Sequence, residues 1–441
     1  MQLGAASAEV IAKKIGVSQP TVSRLISANI GQIARVGGSK NTIYGVARKI
    51  RQLPESVIPV FRIDEAGNAS RFGNLSAIHP EGFLWSFSAM QWPLETRAKQ
   101  YFHSIPYFIQ DSRPQGFMGR NFAHLKADTL GVPNSPDRWS DDDIIVAMSI
   151  MGDDLAGNLI VGETSYRRFI ERNPIIIRDG DIEKTYLELA QISISTGIVG
   201  SSAAGEFPKF TAIRECEGGV DHVIVKFSGS GDSLAEQRWS DLLRCEAHAS
   251  EIINQHLGIP SAKSTAVSYG GRTFMESRRF DRVGLSGRRS MCSLASLDAE
   301  LVGMGDPDWE KFADKLLQIR VIDAESVSAI RKAWYFGKLI GNTDMHAGNL
   351  SFGLSDLNKV EICPLYDMLP MRYAPLRGGE VPALEQANLY VPMPGHDAEF
   401  NAATTAAMAF WNAIALDENI SSGFREIAKG WIGQLISLFK I

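Results

Sequence analysis

The sequence predicts an α+β fold in which a small winged-helix head precedes a β-rich segment and a body that ends in helices. Three observations carry this. At 441 residues the chain is too long for one hydrophobic core and suggests two or three domains. Charge divides it: residues 1–52 hold eight cations (Lys13, Lys14, Arg24, Arg35, Lys40, Arg48, Lys49, Arg51) against one anion, Glu9, so the head is +7 while the whole chain is −5 and the remainder −12. Pattern divides it again. Short strands alternate with Pro and Gly turns in 55–165, with helices around Asp141–Met151, whereas 290–340 reads as helix.

The composition, 44% hydrophobic and 22% charged, is that of an ordinary globular protein and excludes a disordered or fibrous chain. No window approaches ~18 consecutive apolar residues, so no membrane span is expected. No basic stretch followed by an apolar one marks a signal peptide at the N-terminus. Cys216, Cys245, Cys292 and Cys363 form no C-x-x-C pair, which points to reduced thiols and a cytoplasmic location.

In the head, 7–15 reads as a first helix with Ser7 as its N-cap, and Gly16-Val17-Ser18 as a turn. Residues 19–26 read as a second helix, capped by Ser18, with Pro20 in the first turn where its missing N–H does no harm. Ala12, Ile15, Val17, Val22 and Leu25 fall at the inward positions of a helix-turn-helix. Gln19, Thr21, Ser23 and Arg24 are left facing outward, with side chains suited to base edges and phosphates. Residues 33–46 read as two strands around Gly37-Gly38, the wing. A helical protein–protein module is the alternative; the +7 balance favours duplex DNA as the partner of residues 1–52.

Gln52-Leu53-Pro54 breaks the pattern and places a boundary near 52. Residues 55–165 carry no chemical motif and read as scaffold. In 166–285, Ser201, Ser202 and Gly205 make a short loop whose backbone N–H groups could approach phosphates. It is no Walker A loop, since the G-K-[ST] ending is absent, and alone it is an ordinary loop. Lys209 adds a charge, and a strand over 222–227 carries Lys226, placed to bridge nucleotide phosphates.

Residues 286–441 hold the most informative stretch, Gly341-Asn342-Thr343-Asp344-Met345-His346-Ala347-Gly348-Asn349, with a second acid at Tyr366-Asp367. Before it, 333–340 reads as a buried helix; between the acids lies a hairpin. Phosphoryl transfer needs this set. One carboxylate, Asp344, orients or deprotonates a hydroxyl, with His346 beside it, while an amide oxygen, Asn349, and a second carboxylate, Asp367, hold Mg2+. The bland alternative is a polar loop with a capping Asp and a turn Asn.

These motifs resemble the HipA family of bacterial serine/threonine kinases, toxins of toxin–antitoxin pairs. The family's T-D-x-H-x-x-N loop stands unaltered at 343–349 and its Y-D pair at 366–367. Ser202-Ala203-Ala204-Gly205-Glu206-Phe207-Pro208-Lys209 fits its phosphate loop, His222 to Phe227 its lysine strand, and Arg278-Arg279-Phe280-Asp281-Arg282 its hinge. The likeness spans about residues 55–441. It implies a HipA-like bilobal protein-kinase-like fold, ATP and Mg2+ as cofactors, and a protein substrate, with aminoacyl-tRNA synthetases the first to test. It further implies adenine at Arg278 and Phe280, and Glu246 as the helical partner of Lys226, although Glu246 reads equally as a solvated helix residue. Ser202 would be an autophosphorylation site. Typical members rely on a separate DNA-binding antitoxin; here a DNA-binding module is in the same chain, and whether a HipB-like antitoxin is also a partner stays open.

Two other classes remain. One is a DNA-binding transcription regulator whose kinase-like body is a ligand sensor; against it stands the presence together of Lys226, Asp344, Asn349 and Asp367. The other is a small-molecule kinase, since lipid kinases use a similar loop.

Overall fold

Each helix of the head begins at a serine. The Ser7 hydroxyl accepts the Val10 N–H and starts α1 (Ala8–Ile15), which Gly16 ends at φ +70°. Ser18 accepts the Thr21 N–H at the start of α2 (Gln19–Ala28). Three strands lie beside them, β1 (Ala6–Ser7), β2 (Ile33–Val36) and β3 (Ile43–Val46), in the antiparallel order β1-β3-β2. The β2–β3 hairpin takes up the residues read as the wing. This computed structural model describes residues 4–38, 41–87, 100–195, 206–305, 308–354, 360–376, 378–382 and 390–438.

The inward face of the head departs from expectation. Ala12 and Val22 are buried, but Ile15, Val17 and Leu25 are exposed. The covered stripe of α2 runs from Val22 to half-buried Ile26, which leaves Leu25 on its flank. Ile15 and Val17 sit at the corner between two short helices, where little chain is at hand to cover them. The head is seated on the body. Val36 clusters with Ile78 and Leu84, Arg48 pairs with Asp142, and Ile50 and Leu53 enter the main core.

Next comes an antiparallel sheet of β4 (Ile58–Ile63), β5 (Ala69–Ala77), β6 (Phe83–Phe87), β7 (Tyr101–Phe102) and β8 (Leu159–Val161), in the order β7-β6-β5-β4-β8. Before β8 the chain forms α3 (Tyr107–Gln110), α4 (Gly116–Leu130) and α5 (Asp141–Met151). The filling is aromatic: Trp85 and Phe108 lie edge to face with centroids 5.0 Å apart, and Phe72 touches both. A reciprocal capping box between Ser140 and Asp143 starts α5. After β8 comes α6 (Glu163–Glu171).

A second five-stranded sheet follows. The chain runs β9 (Ile176–Ile177), α7 (Ile182–Ser195), β10 (Lys209–Cys216), β11 (Gly219–Phe227), α8 (Leu234–Ile252), β12 (Ser264–Tyr269) and β13 (Arg272–Arg278), with sheet order β12-β13-β11-β10-β9. Alternation along β11 decides what meets the site. Val223, Val225 and Phe227 enter a small core with Tyr186 and Ala190 of α7, so Ile224 and Lys226 face the opposite side, toward α8.

The last part holds the hairpin β14 (Arg282–Val283) and β15 (Gly287–Arg288), then β16 (Cys292–Ser293), α9 (Leu294–Leu301), α10 (Trp309–Gln318) and α11 (Ala324–Leu339). β17 (Ser351–Leu354) and β18 (Val360–Ile362) form the hairpin between the two acid-bearing loops, and α12 (Asp397–Leu416) and α13 (Ser422–Leu438) complete the chain. Trp334, Tyr335 and Phe336 bury α11 in the large core, which also takes Ile427, Trp431 and Leu435 of α13. All four cysteines are free. Among the described residues no helix is long and apolar enough to cross a membrane.

Candidate active site

Lys226 on β11 lies opposite Lys209 of β10 on one side and Met275 of β13 on the other. Its ammonium has three donors and spends them on two carboxylates. It donates to both oxygens of Glu246, at 2.7 and 2.9 Å, and to Oδ1 of Asp367. Glu246 is no solvated residue: it is 5% exposed, on the face of α8 that also buries Leu242, Ala249 and Ser250. Burial pushes the Glu246 carboxyl up to about 7 against the pull of Lys226, and the Asp367 charge adds to the push. Burial also opposes the Lys226 charge, but Asp367 and Glu246 outweigh it and hold the lysine above its usual range. For Asp367 burial is outweighed by Lys226 and then Lys209, which bring its carboxyl down to about 2.

Asp367 stands at φ +55°, a left-handed conformation that only Arg320 shares among the described non-glycine residues. Such a conformation costs roughly 1–3 kcal/mol and persists where the surroundings enforce it. One enforcing group is Asn342, 2% exposed, which ties the two acid loops together. Its Oδ1 accepts the Asp344 N–H at 3.0 Å and its Nδ2 donates to the Asp367 carbonyl at 3.3 Å. Asn349 is buried and donates to the Asp344 carbonyl at 2.8 Å. His346 begins the short turn that carries Asn349, its Nδ1 accepting the Gly348 N–H at 3.0 Å. The Tyr366 hydroxyl donates to the Gly348 carbonyl at 2.8 Å. Asp344 itself is open to solvent, yet water lost to the surrounding chain pushes its carboxyl up; His346 opposes this and Asp367 adds to it.

Thus Lys226, Glu246, Asp344, Asn349 and Asp367 are brought together. Lys209 stands next to them, donating to Glu206 at 3.1 Å. Phe280 is half-buried and stacked on Tyr366, centroids 5.7 Å apart. Arg278 does not join the cluster: its side chain pairs with Asp221 at 2.9 Å, and its N–H goes to the Lys263 carbonyl. The N–H groups of Arg278 and Arg279 are committed to the Lys263 and His222 carbonyls, so neither is offered to adenine. Buried Asp281 pairs with both Arg279 and Arg282 and accepts the Gly157 N–H, while Arg282 also pairs with Asp154 of the preceding subdomain. Ser202 and Gly205 lie outside the described residues. In the head, Gln19, Ser23 and Arg24 are exposed. Thr21 is not outward: it is half-buried, with its hydroxyl 2.9 Å from that of Ser18, because the cap of α2 draws it in. Asn342 and Glu206 are the residues that sequence reasoning passed over. Asn342 stands inside the motif, two residues before Asp344, and Glu206 inside the phosphate-loop stretch; nothing local marks either one's partners.

A lysine strand, a buried helical glutamate and two acid loops flanking a hairpin make this a protein of kinase-like α+β fold. Residues 54–170 match the family described as YjjJ-like toxin, middle domain, and residues 201–431 match the HipA-like C-terminal domain. Toxin YjjJ of Escherichia coli (strain K12) is 34% identical over 430 residues, covering 97% of this chain and 94% of that protein. Among solved structures, a chain of the Shewanella oneidensis MR-1 complex of HipA, HipB and operator DNA is similar at TM-score 0.56 and 16% identity, over 86% of this chain and 97% of that one. The chain belongs to the HipA-like toxin family, and its middle domain is that of the YjjJ-like toxins.

Proposed function

We propose that this HipA-like toxin is an ATP- and Mg2+-dependent serine/threonine protein kinase whose head binds duplex DNA. The observation that carries the reading is the Lys226 ammonium shared between Glu246 and Asp367, beside a loop that presents Asp344 and Asn349. The division into 1–52, 55–165, 166–285 and 286–441 belongs to the same reading.

The donors suit magnesium, a hard cation that takes oxygen ligands: a carboxylate at Asp367 and an amide oxygen at Asn349. Among the described residues no three His, Cys, Asp or Glu side chains could hold a metal by themselves, which suits an ion held partly by phosphate oxygens. When bound, such an ion neutralises phosphate charge. Lys226 binds phosphate oxygens, and Glu246 keeps it in place through two hydrogen bonds that do not depend on Asp367. Asp344 orients the acceptor hydroxyl and takes its proton; loss of water raises its carboxyl from the ordinary value, which favours proton uptake. Ser202 is its own substrate; a phosphate there adds roughly 1.5–2 negative charges that repel the nucleotide. The external substrate is a protein, aminoacyl-tRNA synthetases being the first to assay, and the location is the cytoplasm. The relative in complex with HipB and operator DNA supports DNA, and an antitoxin of the HipB kind, as partners here.

The test is phosphoryl transfer from ATP with Mg2+, followed by site mapping. Asp344→Asn and Asp367→Asn should each lower transfer by ~10²-fold or more with an unchanged circular dichroism spectrum. Phosphate should be found on Ser202 in the wild type and not in Asp344→Asn. Full activity in both variants would end the kinase reading.

A further inference from the structure

We infer that the middle subdomain completes the nucleotide site: Arg120 is a positioning residue that, through Glu206, sets where Lys209 stands. The inference rests on the kinase reading above and concerns how that site is built.

Glu206 belongs to the short arm that enters β10, yet its carboxylate is bound at the start of α4, in another subdomain. Oε1 accepts the Phe117 N–H at 3.0 Å and the Lys209 ammonium at 3.1 Å; Oε2 accepts from Arg120 Nη2 at 2.7 Å. Gln115, the residue at the N-cap of α4, makes no side-chain capping bond, so an N–H left open at this helix end is met by a carboxylate 89 residues further along the chain. Gly116 suits that approach. Its φ is +61°, and a Cβ there would stand 2.8 Å from Glu206 Oε1. Burial works against the Glu206 charge, but Lys209, the Phe117 N–H and Arg120 together hold its carboxyl below the usual range.

The arm then runs directly to the nucleotide lysines. Phe207 is buried, edge to face on Trp239 with centroids 4.6 Å apart, and the Lys226 ammonium lies 6.0 Å from its ring centre. The Pro208 carbonyl accepts the Phe227 N–H at 3.1 Å. Lys209 is the cross-strand partner of Lys226, and after Lys226 it is the cation that most favours the Asp367 charge. Cross-strand partners project from the same side of a sheet, so Lys209 is offered to the same phosphates as Lys226. Glu206 decides how far it reaches, and Arg120 decides where Glu206 lies.

The experiment titrates the full-length chain with a fluorescent ATP analogue and Mg2+, and measures KM and kcat for ATP. Arg120→Ala should weaken nucleotide binding and raise KM by about tenfold, the scale of one charge-assisted hydrogen bond, while kcat stays within about twofold because Asp344, Asn349 and Asp367 are untouched. Arg120→Lys, which keeps the charge, should recover most of the affinity. If the alanine variant does not fold, the uncharged, similar-sized Arg120→Gln carries the same expectation. Unchanged nucleotide affinity in Arg120→Ala or Arg120→Gln, or a fall confined to kcat, overturns the inference and leaves the kinase reading standing. A wild-type chain that binds no nucleotide overturns both.

Discussion

Replacing Asn342 by alanine tests whether the two acid loops work as one unit. Asn342 is 2% exposed and joins the loops through two hydrogen bonds with backbone groups, one from the Asp344 N–H and one to the Asp367 carbonyl, beside a weaker one from its Nδ2 to Met368 Sδ at 3.8 Å. Truncation removes both and leaves the Asp344 N–H without its acceptor. Two lost bonds at roughly 1 kcal/mol each, plus part of the roughly 1–3 kcal/mol for an orphaned group, give about 2–4 kcal/mol. A urea titration followed by tryptophan fluorescence reads this as a lower midpoint. Phosphoryl transfer should fall further than stability alone explains, because a misplacement of about 1 Å at a reacting group can cost ~10²-fold. Asn342→Asp extends the test. It keeps an oxygen for the Asp344 N–H but loses the donor and sets a third carboxylate beside Asp344 and Asp367. Because that carboxylate is buried, unpaired and faces the Asp367 carbonyl, the variant should be no more stable than Asn342→Ala at neutral pH and no more active. An alanine variant within about 0.5 kcal/mol of wild type and fully active would refute the reasoning, since surface-like tolerance of that order is not expected of a buried two-bond link.

Three further outcomes follow from the same geometry. Lys226→Met leaves the buried Glu246 without its cation and should lose about 3–5 kcal/mol of stability as well as activity, whereas Glu246→Gln, which leaves Lys226 paired with Asp367, should lose less; equal losses in urea titrations would contradict this. His222 is buried beside Arg282 and Arg279, and burial first, then those charges, bring its pKa from 6.5 down to about 4. The unfolded chain therefore binds the extra proton first, so stability should fall by about 3 kcal/mol as pH drops from 6.5 to 4, and His222→Gln should flatten that window in urea titrations at a series of pH values. In the head, exposed Arg24 should contribute to duplex DNA binding that weakens steeply with salt; Arg24→Ala in the full-length chain should raise Kd in fluorescence anisotropy, and an unchanged Kd would remove Arg24 from the interface.

Short-range chemistry was legible in the sequence. Ser7 and Ser18 cap the helices they were read to cap, because an N-cap needs only its own hydroxyl and an N–H two or three residues on. The hairpin between the acid loops follows from local pattern. The side to which Lys226 points follows from strict alternation along β11, once Val223, Val225 and Phe227 claim the apolar face. Burial of a particular helix flank was not legible. Leu25 and Ile15 have the residue types of a core, yet they are exposed, because exposure depends on whether another element arrives to cover them. Glu246 is the reverse case, a charged residue buried because α8 lies on the sheet at that face. The partners of Arg278 were not legible either, since strand position commits its N–H to the Lys263 carbonyl and its side chain to Asp221. The pairs that make the site join residues far apart along the chain: Lys226 with Asp367 across 141 positions, Glu206 with Phe117 across 89. No local propensity encodes such a meeting. The sequence by itself determined which side chains could do the chemistry and the turns that carry them. Only the packing of α8, β11 and the two acid loops around one ammonium decided which carboxylates share the lysine, since a buried charge must find its partner wherever the fold brings one.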